Sequence, residues 1–162
     1  MPAERTPPPV DLSLLLNQAA YAFANRLTAA LAELDISVRV YCVLAKAAEG
    51  EHTQSRLAQL AFMDKTTLVV TLDEMERRGL AERRVSPADR RVRVIGLTAA
   101  GRRLLAKADA VVTAVHDEVL GELDPAERET FLSVLERLVA GPLASPFHLE
   151  KPLRRRRQRA AA

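Results

Sequence analysis

The spacing of apolar residues changes once along this chain, at Gly79, and that change leaves few folds open. Before it, Leu68, Leu72 and Met75 recur at i, i+4 and i+7, the spacing of one helix face. Beyond it the spacing shortens. Leu80-Ala-Glu-Arg-Arg-Val85 is strand-like, Ser86-Pro-Ala-Asp89 holds turn residues, and Arg91-Val-Arg-Val-Ile95 alternates polar and apolar, as a half-buried strand does. The pair predicts one β-hairpin with a basic outer face and with Val92 and Val94 turned inward.

The rest of the pattern is helical. Asp11 is placed to cap a long helix over 12–34, on which Leu12, Leu15, Leu16, Ala19, Phe23, Leu27, Ala30, Leu31 and Leu34 form a wide apolar stripe. A stripe that wide needs cover on more than one side, and a chain with a core this small can draw the second cover from another subunit. Asp35 and Ser37 open a helix over 38–48, with Val40, Val43, Leu44 and Ala47 inward. Thr53 caps a short helix carrying Leu57, Ala58, Leu60 and Ala61, and Asp64 caps the next, which runs to Arg78 and stops at Gly79. After the hairpin, Thr98 opens a helix to about residue 121 with Leu104, Leu105, Ala108, Val111, Val112, Val115 and Val119 on its stripe. Asp124-Pro-Ala-Glu127 is a strong helix start. That last helix has Phe131, Val134, Leu135 and Leu138 as its apolar face and ends at Gly141-Pro142. The Pro-rich residues 1–10 are expected to be disordered, and 142–162 to form a flexible basic tail.

Charge is unevenly placed. Residues 77–103 carry nine Lys/Arg against two Asp/Glu, while the segments on either side are acidic. A concentrated basic segment between acidic ones is the pattern of a polyanion-binding surface; the alternative is a charged loop that happens to be rich in arginine. A single cysteine, Cys42, leaves no intrachain disulfide and no cysteine zinc cage. There is no apolar run long enough to span a bilayer and no signal-peptide core, so the expected location is the cytoplasm. No nucleophile motif, ligand cluster or paired carboxylates in an apolar setting point to an enzyme, and no cofactor or metal is expected.

Short helix, tight turn, second helix and two-stranded hairpin is the order of a winged helix-turn-helix. The second helix, 64–78, is slim enough for the major groove of double-stranded DNA. With Leu68, Leu72 and Met75 inward, its outward positions are Lys65, Thr66, Val69, Val70, Asp73 and Arg77. Thr66 and Thr67 can reach phosphates or base edges. Val69 and Val70 either join the core or meet thymine methyls. The hairpin contributes Arg84, Arg90, Arg91 and Arg93, and an arginine at its tip can enter the minor groove. Asp89 is expected to orient an arginine through a bidentate pair.

Thr53-Gln-Ser-Arg-Leu-Ala58, Asp64-Lys-Thr-Thr-Leu68, Glu76-Arg-Arg-Gly-Leu80, Asp89-Arg-Arg91 and Val94-Ile-Gly-Leu-Thr-Ala-Ala-Gly101 together resemble the multiple antibiotic resistance regulator (MarR) family over about residues 11–140. The resemblance implies a mainly α fold with one β-hairpin: a winged helix-turn-helix DNA-binding lobe over 35–100, and a helical dimerisation region from 11–34 and 101–141. It implies a homodimeric transcriptional regulator on an inverted-repeat operator, often released by a small aromatic or phenolic effector. Thr53, Gln54 and Ser55 join the DNA-binding candidates on this basis. Tyr41 falls where the family often has an aromatic near its ligand pocket, and Tyr21 and Tyr41 are the candidate ligand residues; the alternative is that both are ordinary core or interface tyrosines. Phe62 stands in the turn where the family commonly has glycine, which argues against an unusual turn conformation.

Several residues invite other functions. Cys42 could sense oxidants, but a lone cysteine in mid-helix is more often a small hydrophobe. His52, His116 and His148 are too scattered for a zinc site. Arg154-Arg-Arg-Arg157 and Arg159 suit either phosphate contacts or a solubilising tail. The competing function is a winged-helix protein–protein docking module without specific DNA binding, which would leave the basic hairpin unexplained.

Overall fold

The computed structural model describes residues 10–87 and 89–144. The expectations for residues 1–9 and for the arginine-rich segment with His148 lie outside the described residues. Two compact units divide at Val119/Leu120. The first holds α1 (Leu12–Ala32), α2 (Val38–Ala48), α3 (Gln54–Leu60), α4 (Lys65–Arg77), β1 (Ala81–Val85), β2 (Arg93–Leu97) and nearly all of α5 (Ala99–Leu120); the second holds α6 (Pro125–Ala140).

Each helix start has a local cause. Asp11, Ser37, Thr53 and Asp64 accept backbone N–H groups from the first turns of α1 to α4, satisfying donors that have no intrahelical partner. Asp124 does the same for α6 in a full capping box with Glu127. Thr98 opens α5: its Oγ1 accepts the N–H of Gly101 at 3.0 Å.

Helix ends repeat one device. At the end of α3, Met63 N–H donates to Ala58 O at 2.9 Å and Phe62 N–H to Gln59 O at 3.2 Å; at the end of α4, Leu80 N–H donates to Met75 O at 2.8 Å and Gly79 N–H to Glu76 O at 2.9 Å. These are Schellman turns, whose penultimate residue is left-handed. Asp35 closes α1 in the same way, with Ile36 N–H on Leu31 O. Gly79 has φ of 66°, Phe62 52° and Asp35 54°. The expectation for Phe62 is therefore corrected. The two hydrogen bonds that reverse the chain between α3 and α4 demand a positive φ whatever the residue, and the phenylalanine adopts it with its ring in solvent.

The core lies where α2, α3, α4, α5 and the hairpin meet the C-terminal half of α1. Leu31, Val40, Val43, Leu44, Leu57, Leu68 and Met75 are fully buried there. Thr71 is buried too, and its hydroxyl is satisfied by donating to Thr67 O at 2.8 Å. The N-terminal half of α1 is uncovered: Leu12, Leu14, Leu15 and Leu16 are all exposed. So is the apolar face expected of the last helix, since Phe131, Val134, Leu135 and Leu138 of α6 lie at 36% exposure or more. Patterning placed these side chains on apolar helix faces, and among the described residues they remain exposed.

The hairpin pairs Ala81 with Leu97 and Val85 with Arg93, antiparallel. The second strand starts two residues later than its alternation suggests and is buried on both faces from Val94 to Leu97. A short segment before α3 supplies the extra cover: His52 forms an isolated bridge with Ile95, whose N–H donates to His52 O at 2.9 Å. Val92 is half-buried, outside the strand.

Candidate nucleic-acid interface

The expected contact residues lie on the α3–α4–hairpin lobe, and most of them are exposed. Lys65, Thr66, Val70 and Arg77 are exposed on α4, while Val69 is half-buried. Val70 is 63% exposed, so it is not a core valine. Thr53 spends its hydroxyl as the α3 cap, accepting Arg56 N–H at 3.2 Å. Gln54 is half-buried and Ser55 exposed. Thr67 is committed more deeply. Its N–H donates to Asp64 Oδ1 at 3.0 Å and its hydroxyl to Asp64 Oδ2 at 2.5 Å. Those bonds to the ionised form hold the Asp64 carboxyl below its ordinary range. Thr67 is thus half of the cap that starts α4 and not a free donor on its outer face.

The arginines of the hairpin divide into two groups. Arg90, Arg91 and Arg93 are exposed, with no side-chain partner among the described residues. The tip is held by its backbone: Ser86 N–H donates to Val92 O at 2.8 Å and Val92 N–H to Asp89 O at 2.9 Å. Asp89 Oδ1 accepts the Arg91 backbone N–H at 2.9 Å, so this carboxylate shapes the turn and does not clasp a guanidinium as expected.

Arg84 belongs to the other group: it is exposed, as expected of the outer face, but its guanidinium is paired. Its guanidinium pairs with Glu51 at 3.4 Å and lies over Gly96, where an added Cβ would come within 2.6 Å of it. Gly96, diagonal to Arg84 and paired with Glu82 across the hairpin, leaves a slot that the long side chain fills, and Glu51 supplies the counter-charge. Arg83, which outward-face reasoning passed over, points to α4: Nη2 meets Asp73 Oδ1 at 2.8 Å, Nη1 pairs with Glu76, and the Arg83 backbone N–H donates to Glu76 Oε1 at 3.0 Å. Asp73 and Glu76, one turn apart on α4, were the available signal.

The remaining candidates lie on other elements. Tyr21 is 74% exposed on α1. Tyr41 on α2 is half-buried, and its hydroxyl donates to Asp109 Oδ1 on α5 at 3.2 Å. Burial, and then the Asp109 carboxylate, push the Tyr41 hydroxyl above its ordinary pKa. Cys42 is half-buried, its thiol also pushed up by burial, and it lines an open groove of about 350 Å³ with Val38, Arg39, Phe62, Met63 and Asp64. Neither tyrosine lines that groove. His116 stacks on Phe23 with ring centres 5.6 Å apart. His52 Nε2 is buried without a partner. Among the described residues no three His, Cys, Asp or Glu side chains are grouped to hold a metal ion, and no helix is long and apolar enough to cross a membrane.

A capped recognition-type helix, the preceding helix set against it by a tight turn, and a hairpin presenting three exposed arginines define a winged helix-turn-helix protein. The chain belongs to the MarR family, whose model matches residues 34–92. It is 38% identical over 86 residues to the transcriptional regulator HosA of Escherichia coli O111:H-, an alignment covering 53% of this chain and 64% of HosA, just under two thirds of that relative. Among solved structures it is similar to CouR from Rhodococcus jostii RHA1 bound to p-coumaroyl-CoA, with a TM-score of 0.74 and 30% identity over 86% of this chain and 96% of that one. A MarR-family transcriptional regulator from Rhodococcus sp. RHA1 gives 0.73 and 29%, covering 82% and 95%.

Proposed function

We propose that this protein is a sequence-specific DNA-binding transcriptional regulator of the cytoplasm that acts as a homodimer and responds to a small ligand. The observation that carries the proposal is the set Arg90, Arg91 and Arg93, exposed and without acidic partners among the described residues, on the same lobe as the exposed Lys65, Thr66, Val70 and Arg77 of α4. Unpaired guanidinium groups on a projecting hairpin suit phosphates and the minor groove, while a short-chained helix face suits base edges in the major groove. Residues 35–100 would be the DNA-binding lobe. The uncovered apolar rows of α1 and α6 would form the dimerisation region, because exposed patches of this kind mark association surfaces. Two lobes related by a two-fold axis read an inverted repeat with half-sites about one helical turn apart.

Ligand response rests on the likeness to CouR, solved with p-coumaroyl-CoA. An aromatic acid or its thioester is the class of effector to try first, with Tyr21 and Tyr41 as its candidate contacts. A ligand that binds the DNA-incompetent spacing of the two lobes better than the competent one would shift the population off DNA.

Selection of bound fragments from genomic DNA, followed by gel shift at several salt concentrations, tests the proposal. The expected result is salt-sensitive binding to a few fragments sharing an inverted repeat, abolished by Arg90→Glu with Arg91→Glu. Failure to retain any fragment, or binding that survives the charge reversal, would overturn it and favour a docking module.

A further inference from the structure

Arg83 is the one wing arginine whose fork joins two acids of the recognition helix, and the wing tip depends on where β1 lies. We propose that Arg83 is a positioning residue: it clamps the wing to α4 so that the tip arginines and the helix face meet DNA in a fixed register. The inference rests on the DNA-binding reading above and adds a residue that touches no DNA.

The geometry is specific. The guanidinium of Arg83 spans Asp73 and Glu76, while its own backbone N–H donates to the second of them. Main chain and side chain of one strand residue are therefore both tied to one turn of α4. A planar fork can satisfy two carboxylates at once, which a lysine's point charge does not do in fixed geometry. The side chains of Arg83 and Glu76 are each only about a third exposed, at 29% and 30%, so water screens this pair less than an open surface pair. Ile95, paired with Arg83 across the hairpin, sits in the core. Beyond Arg83 the hairpin runs outward through Val85 to Arg90, Arg91 and Arg93, all exposed. The clamp also neutralises Asp73, an acid on the helix that approaches DNA, where a bare carboxylate would repel phosphates.

Two measurements test the assignment. The first needs no DNA. In Arg83→Gln, amide exchange at Ser86 and Val92, the hydrogen-bonded tip positions, is expected to quicken by at least about fivefold, while core amides of α4 keep their protection. Unchanged tip exchange would overturn the clamp. The second is a double-mutant cycle on operator affinity between Arg83→Gln and Arg91→Ala. Arg83→Gln alone is expected to weaken binding about tenfold, in line with losing hydrogen bonds to charged groups. Arg91→Ala is then expected to weaken binding much less in that background than in the wild type, because a displaced wing has already lost its contact. Arg83→Lys is expected to behave like Arg83→Gln. Independent, multiplying losses would mean that Arg83 contacts DNA or acts only through charge, and rescue by lysine would likewise refute a two-acid fork. If the wild type binds no DNA, the DNA-binding reading fails, while the exchange experiment still decides the clamp.

Discussion

Gly101 offers a prediction whose sign runs against the usual rule. In the first turn of a helix, replacing glycine by alanine ordinarily stabilises by up to about 1 kcal/mol. Here an added Cβ would stand 2.0 Å from the carbonyl oxygen of Leu80 and 3.0 Å from its carbon. The closest comfortable carbon–oxygen separation is about 3.3 Å, so α5 and the start of β1 must part by roughly 1.3 Å. The obstacle is backbone and cannot swing aside. That oxygen also accepts Thr98 N–H at 3.1 Å, and Thr98 Oγ1 donates to Gly79 O at 2.7 Å; both bonds tie α5 to the end of α4. Overpacking of this kind costs about 1–3 kcal/mol, and weakening one or two hydrogen bonds adds about 1 kcal/mol. Gly101→Ala is therefore expected to destabilise the protein by about 2–4 kcal/mol in urea unfolding at fixed protein concentration. Gly50→Ala is the control. Its nearest neighbour is a His52 side-chain atom at 3.9 Å, so that variant should lie within about 0.5 kcal/mol of the wild type. A Gly101→Ala protein as stable as the control would refute the close-approach argument.

Three further outcomes follow from particular side chains. Phe62→Gly is expected to raise stability by up to about 1 kcal/mol, because a left-handed phenylalanine is strained and its ring, 70% exposed, loses little; Gly79→Ala, at φ of 66° with open space around it, is expected to lower stability by about the same amount in the same denaturation assay. The Asp64 carboxyl is held below its ordinary 3.8 by hydrogen bonds from Thr67. Its cap therefore contributes fully above that value and is lost as pH falls through the lower folded-state value, which amide protection at Thr67 would report; Asp64→Asn should remove this acid dependence. Burial keeps the Cys42 thiol protonated, so its reaction with iodoacetamide at pH 7.5 should be several-fold slower than that of free cysteine and recover in denaturant; a rate equal to or above the free thiol would reinstate the oxidant-sensing alternative.

Local signals carried the helix starts. Asp11, Ser37, Thr53, Asp64 and Asp124 are short acceptors before apolar periodic runs, and each caps where that chemistry requires. The switch of period at Gly79 located the wing. Harder to see were features set by tertiary neighbours. Nothing near Ile95 in sequence announces that His52 pairs with it, so the strand looked half-buried. Arg83 and Arg84 are adjacent and equally basic, yet Asp73 with Glu76 claim one and Glu51 the other; alternation alone could not say which acids stand opposite. Phe62 misled because residue preference weighs less than the two hydrogen bonds that reverse the chain at that point.

The slot above Gly96 gives this lobe an unusual latitude. The atoms that a methyl at position 96 would strike are the far end of the Arg84 side chain, which can rotate into water where a main-chain atom could not. One small substitution on β2 would thus push the Arg84 guanidinium, already partly in water, off Glu51 and release a further cation on the hairpin that carries Arg90, Arg91 and Arg93, while the protein's formal charge stayed as it is.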